Sequence, residues 1–169
     1  MSENYIVING KKADLTEEQL EKLGIKAKEN KRWRAKDGET YWLAVPSMRL
    51  NRYVVDSDQG IDDGVTYVRY YTHNYFRTKE EAQKYVDVLN TEMELMKYAD
   101  EHNGELDWDN IYQRKYSLGY QVDVGKARAV TSDLIRDGRI VYFSSEELAR
   151  QAIEVIGEDN VIEYLTYEW

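Results

Sequence analysis

The predicted order of strands and helices in this chain follows from a stretch that occurs twice, as YFRTKEEA at residues 75–82 and as YFSSEELA at residues 142–149. In each copy an aromatic pair precedes a hydroxyl residue, and acidic and apolar residues follow. Aromatic residues favour strands, and Ser or Thr is typical of the N-cap of a helix. We therefore expect two strands that each lead into a capped helix.

The repeat extends upstream of both stretches. Three residues recur at a constant distance of 75 residues: Trp33 with Trp108, Tyr41 with Tyr116, and Leu43 with Leu118. The distance falls to 67 residues at the caps, which one shorter loop in the second copy explains. Recurrence of this kind indicates an internal duplication.

The predicted fold class is α+β, with internally duplicated antiparallel β-β-β-α units that follow a short N-terminal β-hairpin and helix. Three parts are expected: an N-terminal motif with a basic linker over residues 1–32, a first β-rich repeat over residues 33–107, and a second over residues 108–169. In the first part Asn9-Gly10 predicts a tight hairpin turn, and Thr16 with Gln19 predicts a capped helix that ends before Gly24.

The first repeat is predicted to contain strands over residues 40–45, from residue 52, and over 65–72. Pro46 is expected to break the first of them. Thr78 and Glu81 predict a capping box for a long helix. Its apolar stripe is Ala82, Tyr85, Val86, Leu89, Met93, Met96 and Ala99. Val88 and Leu95 lie off that stripe, so this helix is expected to touch the other repeat or another subunit on a second side.

The second repeat is predicted to contain strands over residues 115–124, 127–134 and 139–143. Ser144 or Ser145 would then cap a helix that Gly157 ends. Residues 161–167 are expected to form a closing strand, because β-branched and aromatic residues dominate there.

Composition limits the class of protein. Hydrophobic residues make up 42% of the chain and charged residues 33%, which is typical of a globular protein. The absence of a long apolar run and of a signal-like N-terminus predicts a cytoplasmic protein. There is no cysteine, and the two histidines argue against a transition-metal site.

The net charge of −9 is unevenly distributed. Residues 1–38 carry nine Lys or Arg and seven Asp or Glu, whereas the remainder carries 14 and 25. An acidic body repels nucleic acid, so a basic partner is favoured over direct DNA or RNA binding. Solubility is the simpler explanation of the same charge.

The residues that could carry chemistry do not form a known catalytic or metal motif. Asp56, Asp58, Asp62 and Asp63 suggest a calcium loop, but Gly60 and Tyr67 stand where an EF-hand needs ligands. No nucleophile elbow, phosphate-binding loop or dinucleotide fingerprint is present in the sequence. We therefore predict no enzymatic activity, no cofactor and no metal.

Two groups of residues are predicted to bind a partner. Aromatic side chains supply large contact areas, and exposed carboxylates steer a protein toward a basic surface. The predicted partner-binding residues are Tyr67, Tyr70, Tyr71, Tyr75, Asp100, Glu101, Glu105, Asp107 and Asp109. Packing between repeats is the alternative role of the tyrosines.

Several motifs together resemble small acidic accessory proteins of phages and prophages of Gram-positive bacteria. They are INGK at residues 8–11, LTEEQL at 15–20, KDGE at 36–39, YW at 41–42 and NYFRTKEEA at 74–82. Some proteins of that group are anti-CRISPR or other anti-defence inhibitors, so the resemblance implies an inhibitor that acts in the host cytoplasm.

The predicted function that results is non-enzymatic inhibition of a host nuclease or CRISPR effector. The acidic surface would act as a nucleic-acid mimic, and a homodimer is possible. A small-molecule binder that sequesters a defence signal and a virion or morphogenesis component are the alternatives.

Overall fold

The computed structural model describes residues 5–8, 11–14, 32–61, 63–131, 137 and 140–168. The chain forms two compact units, Met1–Trp33 and Arg34–Trp169. In the first, β1 (Tyr5–Ile8) pairs antiparallel with β2 (Lys11–Asp14), and Ile8 lies opposite Lys11. The predicted N-terminal hairpin is therefore confirmed. The helix predicted from Thr16, and most of the basic linker, lie outside the described residues.

The second unit combines two antiparallel hairpins with four helices in its described part, so the predicted α+β class is confirmed. Its elements are β3 (Thr40–Ser47), β4 (Arg52–Gln59), α1 (Gly64–Tyr71), α2 (Lys79–His102), β5 (Tyr116–Gln121), β6 (Lys126–Thr131), α3 (Glu146–Ile156) and α4 (Glu158–Thr166). Within the described residues the order of elements is β3-β4-α1-α2 and then β5-β6-α3-α4, rather than the predicted β-β-β-α in each repeat.

The two hairpins of this unit have the same backbone plan. Ser47 pairs with Arg52, and Gln121 pairs with Lys126, so each turn contains four residues. The last turn residue has a positive φ in both, at 50° for Asn51 and 68° for Gly125. Positive φ is ordinarily taken by Gly or Asn, which explains both residue types.

A single β-bridge ties each hairpin to the segment before a long helix. Trp42 bridges Phe76 in the first half, and Tyr116 bridges Phe143 in the second. The residue that corresponds to Tyr116 is thus Trp42. The alignment of Tyr41 with Tyr116 predicted from the sequence is therefore wrong by one residue. Equivalent positions of the two hairpins are 74 residues apart in the chain.

Two neighbouring outward positions on the edge of β3 have both of their backbone groups hydrogen-bonded. Trp42 exchanges backbone hydrogen bonds with Phe76 at 2.9 and 2.8 Å. Two positions along, the Asn74 side chain accepts the Ala44 N–H and donates to the Ala44 carbonyl, both at 2.7 Å. The next outward position is Pro46, which has no N–H to satisfy.

Pro46 does not break β3 as predicted, because the strand continues to Ser47. The opposite residue is Tyr53. Its N–H donates to Asn90 Oδ1 at 2.8 Å, and its carbonyl accepts from Asn90 Nδ2 at 3.1 Å. Both backbone groups of Tyr53 therefore point away from β3. In an antiparallel ladder every second residue pair exchanges no hydrogen bonds, and Pro46 with Tyr53 is such a pair, so the missing N–H of proline is not needed there.

The strand predicted over residues 65–72 is wrong, because this segment forms α1. The Asp63 carboxylate accepts the Thr66 N–H at 2.7 Å and caps the helix. Thr66 is buried, and Arg69 and Tyr70 are partly buried. Their spacing of three and four residues is that of one helix face, which outweighs the strand preference of the Val and Tyr residues.

The closing strand predicted over residues 161–167 is also wrong, because α4 occupies Glu158–Thr166. Val161 is fully buried, and Tyr164 and Leu165 are partly buried. These three positions again have helical spacing, and two acidic residues stand in the first turn, where they suit the helix dipole.

The two long capped helices begin as predicted. Thr78 and Glu81 form the capping box of α2, and the Ser145 side chain accepts the Leu148 N–H at the start of α3. Ala82 and Ala149, each four residues after its cap, are fully buried. Gly157 ends α3 with a φ of 98°.

Helix α2 is buried on two sides, as Val88 and Leu95 predict. It packs against β3 and β4 and also against α3 and α4. Val88 and Leu95 are fully buried, whereas Met93 and Met96 of the predicted stripe are 38% and 53% exposed. The core beside α3 is formed by Leu95, Ala99, Phe143, Ala149, Ala152, Ile153, Ile156 and Val161.

Candidate partner-binding surface

The acidic segment, residues 100–109, begins in the last turn of α2 and continues through the loop after it. All five of its predicted partner-binding carboxylates are exposed: Asp100, Glu101, Glu105, Asp107 and Asp109. Glu101 has Lys97 Nζ at 3.8 Å, one helical turn away on the surface. An exposed pair of this kind is weak, so the segment as a whole stays strongly negative.

This segment is held by hydrogen bonds at three of its inner positions. Asn103 Nδ2 donates to the Tyr142 carbonyl at 2.7 Å, and Asn103 Oδ1 accepts the Ser144 N–H at 2.8 Å. Farther along, Gln113 Nε2 donates to the Glu105 carbonyl at 2.7 Å while its Oε1 accepts the Asp107 N–H at 2.7 Å. The loop is therefore shaped before any partner arrives, which lowers the entropic cost of binding.

A groove of about 280 Å³ lies beside the acidic segment. Its residues are Glu92, Met96, Ala99, Asp100, Asn103, Leu106, Trp108, Asp137, Ile140, Val141 and Tyr142. One wall is a stripe of α2 with a carboxylate on either side of Met96, and the facing wall is largely aromatic and aliphatic. The groove is thus apolar in its walls and acidic in its charge.

Glu92 is the most unusual residue of this groove. It is partly buried, and among the described residues it makes neither a hydrogen bond nor an ion pair. Burial raises the pKa of its carboxyl group above the usual glutamate range. Burial also raises the pKa of the Tyr164 hydroxyl, and the negative charge of Glu92 adds to that shift.

The aromatic wall of the groove is supported from behind by a buried cation. Trp108 meets Tyr142 edge to face, with ring centroids 4.8 Å apart. Lys115 is fully buried, and its Nζ donates to the Asn110 carbonyl at 2.9 Å and lies 5.4 Å from the centroid of the Trp108 ring. These contacts fix the indole in place.

The four predicted tyrosines also come together, but at the other end of α2. Tyr67 stacks on Tyr71 at 5.6 Å, and Tyr70 meets Tyr71 and Tyr75 edge to face at 5.3 and 5.7 Å. Tyr67 and Tyr71 are exposed, whereas Tyr75 is 2% exposed and stacks on Tyr41 at 4.0 Å. Tyr75 therefore supports the cluster from inside, and the outer rings provide its surface.

Electrostatic contacts join the tyrosine cluster to β4. Arg69 of α1 donates to the Tyr41 hydroxyl at 2.5 Å and to Asp58 at 2.6 Å. The hydrogen bond from Arg69 is the main reason why the pKa of Asp58 is lowered. Arg34 lies 4.3 Å from the centroid of the Tyr67 ring, so this end of the molecule carries cations rather than a free acidic face.

Three of the four aspartates that suggest a calcium loop in the sequence have other hydrogen-bond partners. Asp58 binds Arg69, Asp63 caps α1, and Asp56 accepts the Ser57 N–H at 2.8 Å, while Asp62 lies outside the described residues. Across the described ranges, no group of three or more His, Asp or Glu is arranged to hold a metal ion.

The structure separates the two predicted surfaces. Tyr75 stands just before α2 and Asp100 stands in its last turn, and a helix of 24 residues is about 36 Å long. The tyrosine cluster and the acidic segment cannot contact one small partner patch together. They are two separate candidate surfaces.

Glu92 and Gln113 are not among the site residues predicted from the sequence. Glu92 lies four residues before Met96 and seven before Ala99, so it falls on the predicted apolar stripe, and a carboxylate on such a stripe is the signal that could have identified it. Nothing in the sequence distinguishes Gln113 from other polar loop residues.

Comparison with protein-family models, curated proteins and solved structures finds no match to this chain. None of the helices within the described part of the chain has the length and apolar composition needed to cross a lipid bilayer.

Proposed function

We propose that the protein is a non-enzymatic inhibitor of the anti-CRISPR type, encoded by a phage, that acts in the host cytoplasm. It binds a host nuclease by protein–protein contact, and its acidic segment occupies the basic surface that otherwise holds nucleic acid. The partner is a nuclease or CRISPR effector protein, recognised by its Lys- and Arg-rich groove.

The observation that supports this proposal is the exposure of five carboxylates on a segment held by its own hydrogen bonds. Carboxylates at fixed positions can substitute for phosphates, and they raise the rate of encounter with a basic surface. Exposed charges contribute little to folding stability, so these residues can be changed without unfolding the protein.

The test is the association rate with a purified nuclease complex, measured at several salt concentrations. The quadruple variant Glu101→Lys, Glu105→Lys, Asp107→Lys, Asp109→Lys should associate at least about tenfold more slowly at low salt, and the difference should shrink as salt rises. A matched control reverses four exposed carboxylates on helices elsewhere: Asp87→Lys, Glu94→Lys, Glu154→Lys, Glu163→Lys. Equal rates for the two quadruple variants would contradict the assignment to residues 100–109.

The groove of about 280 Å³ favours one alternative, a protein that sequesters a small defence signal. That volume is just under the range of about 300–1,000 Å³ typical of small-molecule sites. Mass spectrometry of small molecules released from the protein after purification from infected cells tests this alternative. A stoichiometric nucleotide together with no binding to any nuclease would favour it over inhibition by contact.

We further propose that the two halves of the second unit arose by duplication. Equal turn lengths, positive φ at Asn51 and Gly125, one bridge before each capped helix, and a buried alanine four residues after each cap support this origin. Exchange of the turns at residues 48–51 and 122–125 should leave a folded protein, because the flanking strand pairs have the same register. Loss of the cooperative thermal transition in that chimera would contradict structural equivalence.

A further inference from the structure

We propose that the groove beside the acidic segment binds one arginine side chain of the partner protein, with Glu92 as the carboxylate that receives its guanidinium group. This inference rests on the proposed function, which supplies a basic protein partner. It adds a specific anchor to a contact that otherwise depends on surface charge alone.

The shape and walls of the groove fit a long side chain with a charged end. Met96, Ile140 and Val141 offer aliphatic contact, and the fixed indole of Trp108 forms the facing wall. Arginine can lay its methylene groups along such a surface while its planar guanidinium group pairs with a carboxylate. A lysine is a compact point charge and matches a planar carboxylate less well.

The charge of the groove favours a cation. Glu92 is partly buried with no hydrogen-bond or ion-pair partner among the described residues, and Asp100 lines the same groove two turns along α2. A partly buried carboxylate is less well hydrated than an exposed one, so a guanidinium group at this position would pair with a charge that water solvates incompletely. The raised pKa of Glu92 is consistent with that incomplete solvation.

The experiment is an NMR titration of the full chain with N-acetyl-arginine amide, and with N-acetyl-citrulline amide as the neutral compound of the same shape. Arginine amide should shift the signals of Glu92, Met96 and the Trp108 indole N–H in a saturable manner, and citrulline amide should not. Glu92→Gln should weaken arginine-amide binding about tenfold, as expected for loss of a charge-assisted pair.

Glu94→Gln is the matched control, because Glu94 lies two residues away on the same helix, is exposed, and does not line the groove. It should leave binding within about twofold of the unchanged protein. Equal shifts with citrulline amide, or equal weakening by both variants, would overturn the proposal.

The outcome is distinguishable from failure of the proposed function. If arginine amide binds the groove but no nuclease complex is bound, the groove is an arginine site and the proposed partner is wrong. If a nuclease complex binds with strong salt dependence while Glu92→Gln has no effect on either ligand, the acidic segment acts without the groove and this inference is wrong.

Discussion

The two hairpins of the second unit bury different side chains at the position just before the bridge. In the first half this residue is Tyr41, which stacks on Tyr75 and receives a hydrogen bond from Arg69 of α1. In the second half it is Lys115, which reaches the Asn110 carbonyl and the Trp108 ring. A cation therefore lies beside an aromatic ring in both halves, but helix α1 supplies it in the first and the residue just before β5 supplies it in the second.

This difference bears on the groove, because its α2 wall belongs to the first half and its aromatic wall belongs to the second. Lys115 holds Trp108 against Tyr142, and both rings line the cavity next to the acidic segment. In the first half, Tyr41 instead stacks on Tyr75, and Arg69 links it to Asp58 on the neighbouring strand. The second half thus supplies the aromatic wall of the groove, and α2 of the first half supplies the carboxylates Glu92 and Asp100.

The largest expected difference between the halves concerns the bridge phenylalanines. Phe143 is fully buried in the core, whereas Phe76 is only partly buried. Phe143→Ala should cost about 3–5 kcal/mol of unfolding free energy, because it removes a large buried ring and leaves a cavity. Phe76→Ala should cost less, and urea unfolding followed by circular dichroism measures both. Equal losses would mean that the two bridges are energetically equivalent.

The next largest loss of stability is expected at Asn74 and Asn103, the two asparagine clamps, whose side chains each bind backbone groups of a distant segment. Asn74→Asp and Asn103→Asp each remove an amide donor from a backbone carbonyl and place a negative charge beside it. Each should cost about 1–3 kcal/mol, the usual range for a partly buried group left unsatisfied. Asn110→Asp keeps the acceptor that binds the Tyr112 N–H, so it should change stability by less than about 0.5 kcal/mol. A loss as large as that of Asn74→Asp would contradict the clamp interpretation.

The two turns should respond in opposite ways to small substitutions. Gly125→Ala places a methyl group at a φ of 68° and should cost about 1 kcal/mol. Asn51→Gly relieves the same conformation in the first turn and should be neutral or slightly stabilising. Thermal melts of the two variants, recorded under one condition, measure the pair. Destabilisation by Asn51→Gly would show that the Asn51 side chain has a role of its own.

The smallest expected effect is a pH dependence confined to α1. The hydrogen bond from Arg69 lowers the pKa of Asp58, and the Thr66 N–H lowers that of Asp63. A lowered pKa in the folded state gives stability above the ordinary aspartate range, near about 3.9, that is lost as the pH falls through the lowered value. Amide signals of α1 should therefore broaden or shift in acid before those of α3, and Asp63→Asn should reduce that sensitivity.

The sequence predicted those parts of the fold that depend on neighbouring residues. The pairing of Ile8 with Lys11, the caps at Thr78 and Ser145, and the stop at Gly157 all involve contacts within a few residues. The burial of Val88 and Leu95 was predicted from spacing alone. Local rules of this kind act through the chain itself and need no knowledge of the tertiary structure.

The parts that were missed depend on distant contacts. Residues 64–71 alternate like a strand, but Arg69 reaches Tyr41 from 28 residues away, and that contact is made from a helix. Pro46 stays in β3 because Asn90 takes both backbone groups of Tyr53, 37 residues earlier in the chain. Glu92 became a candidate only when Trp108 and Tyr142 were placed across from it. The helix at 158–166 is different, since its spacing was visible in the sequence.

The asparagine and proline along β3 also have a consequence for self-association. An edge strand with unsatisfied N–H and C=O groups is a template on which another chain can add a strand. Phe76 and Asn74 occupy two adjacent outward positions of β3, and Pro46 offers no N–H at the next. On the outer edge of β5, Tyr116 is bonded to Phe143 through the bridge. Leu118 is the next residue whose backbone groups face outward, and it has no outward backbone bond among the described residues. When the protein is partly unfolded by heat, we expect intermolecular β-structure to begin at β5 rather than β3.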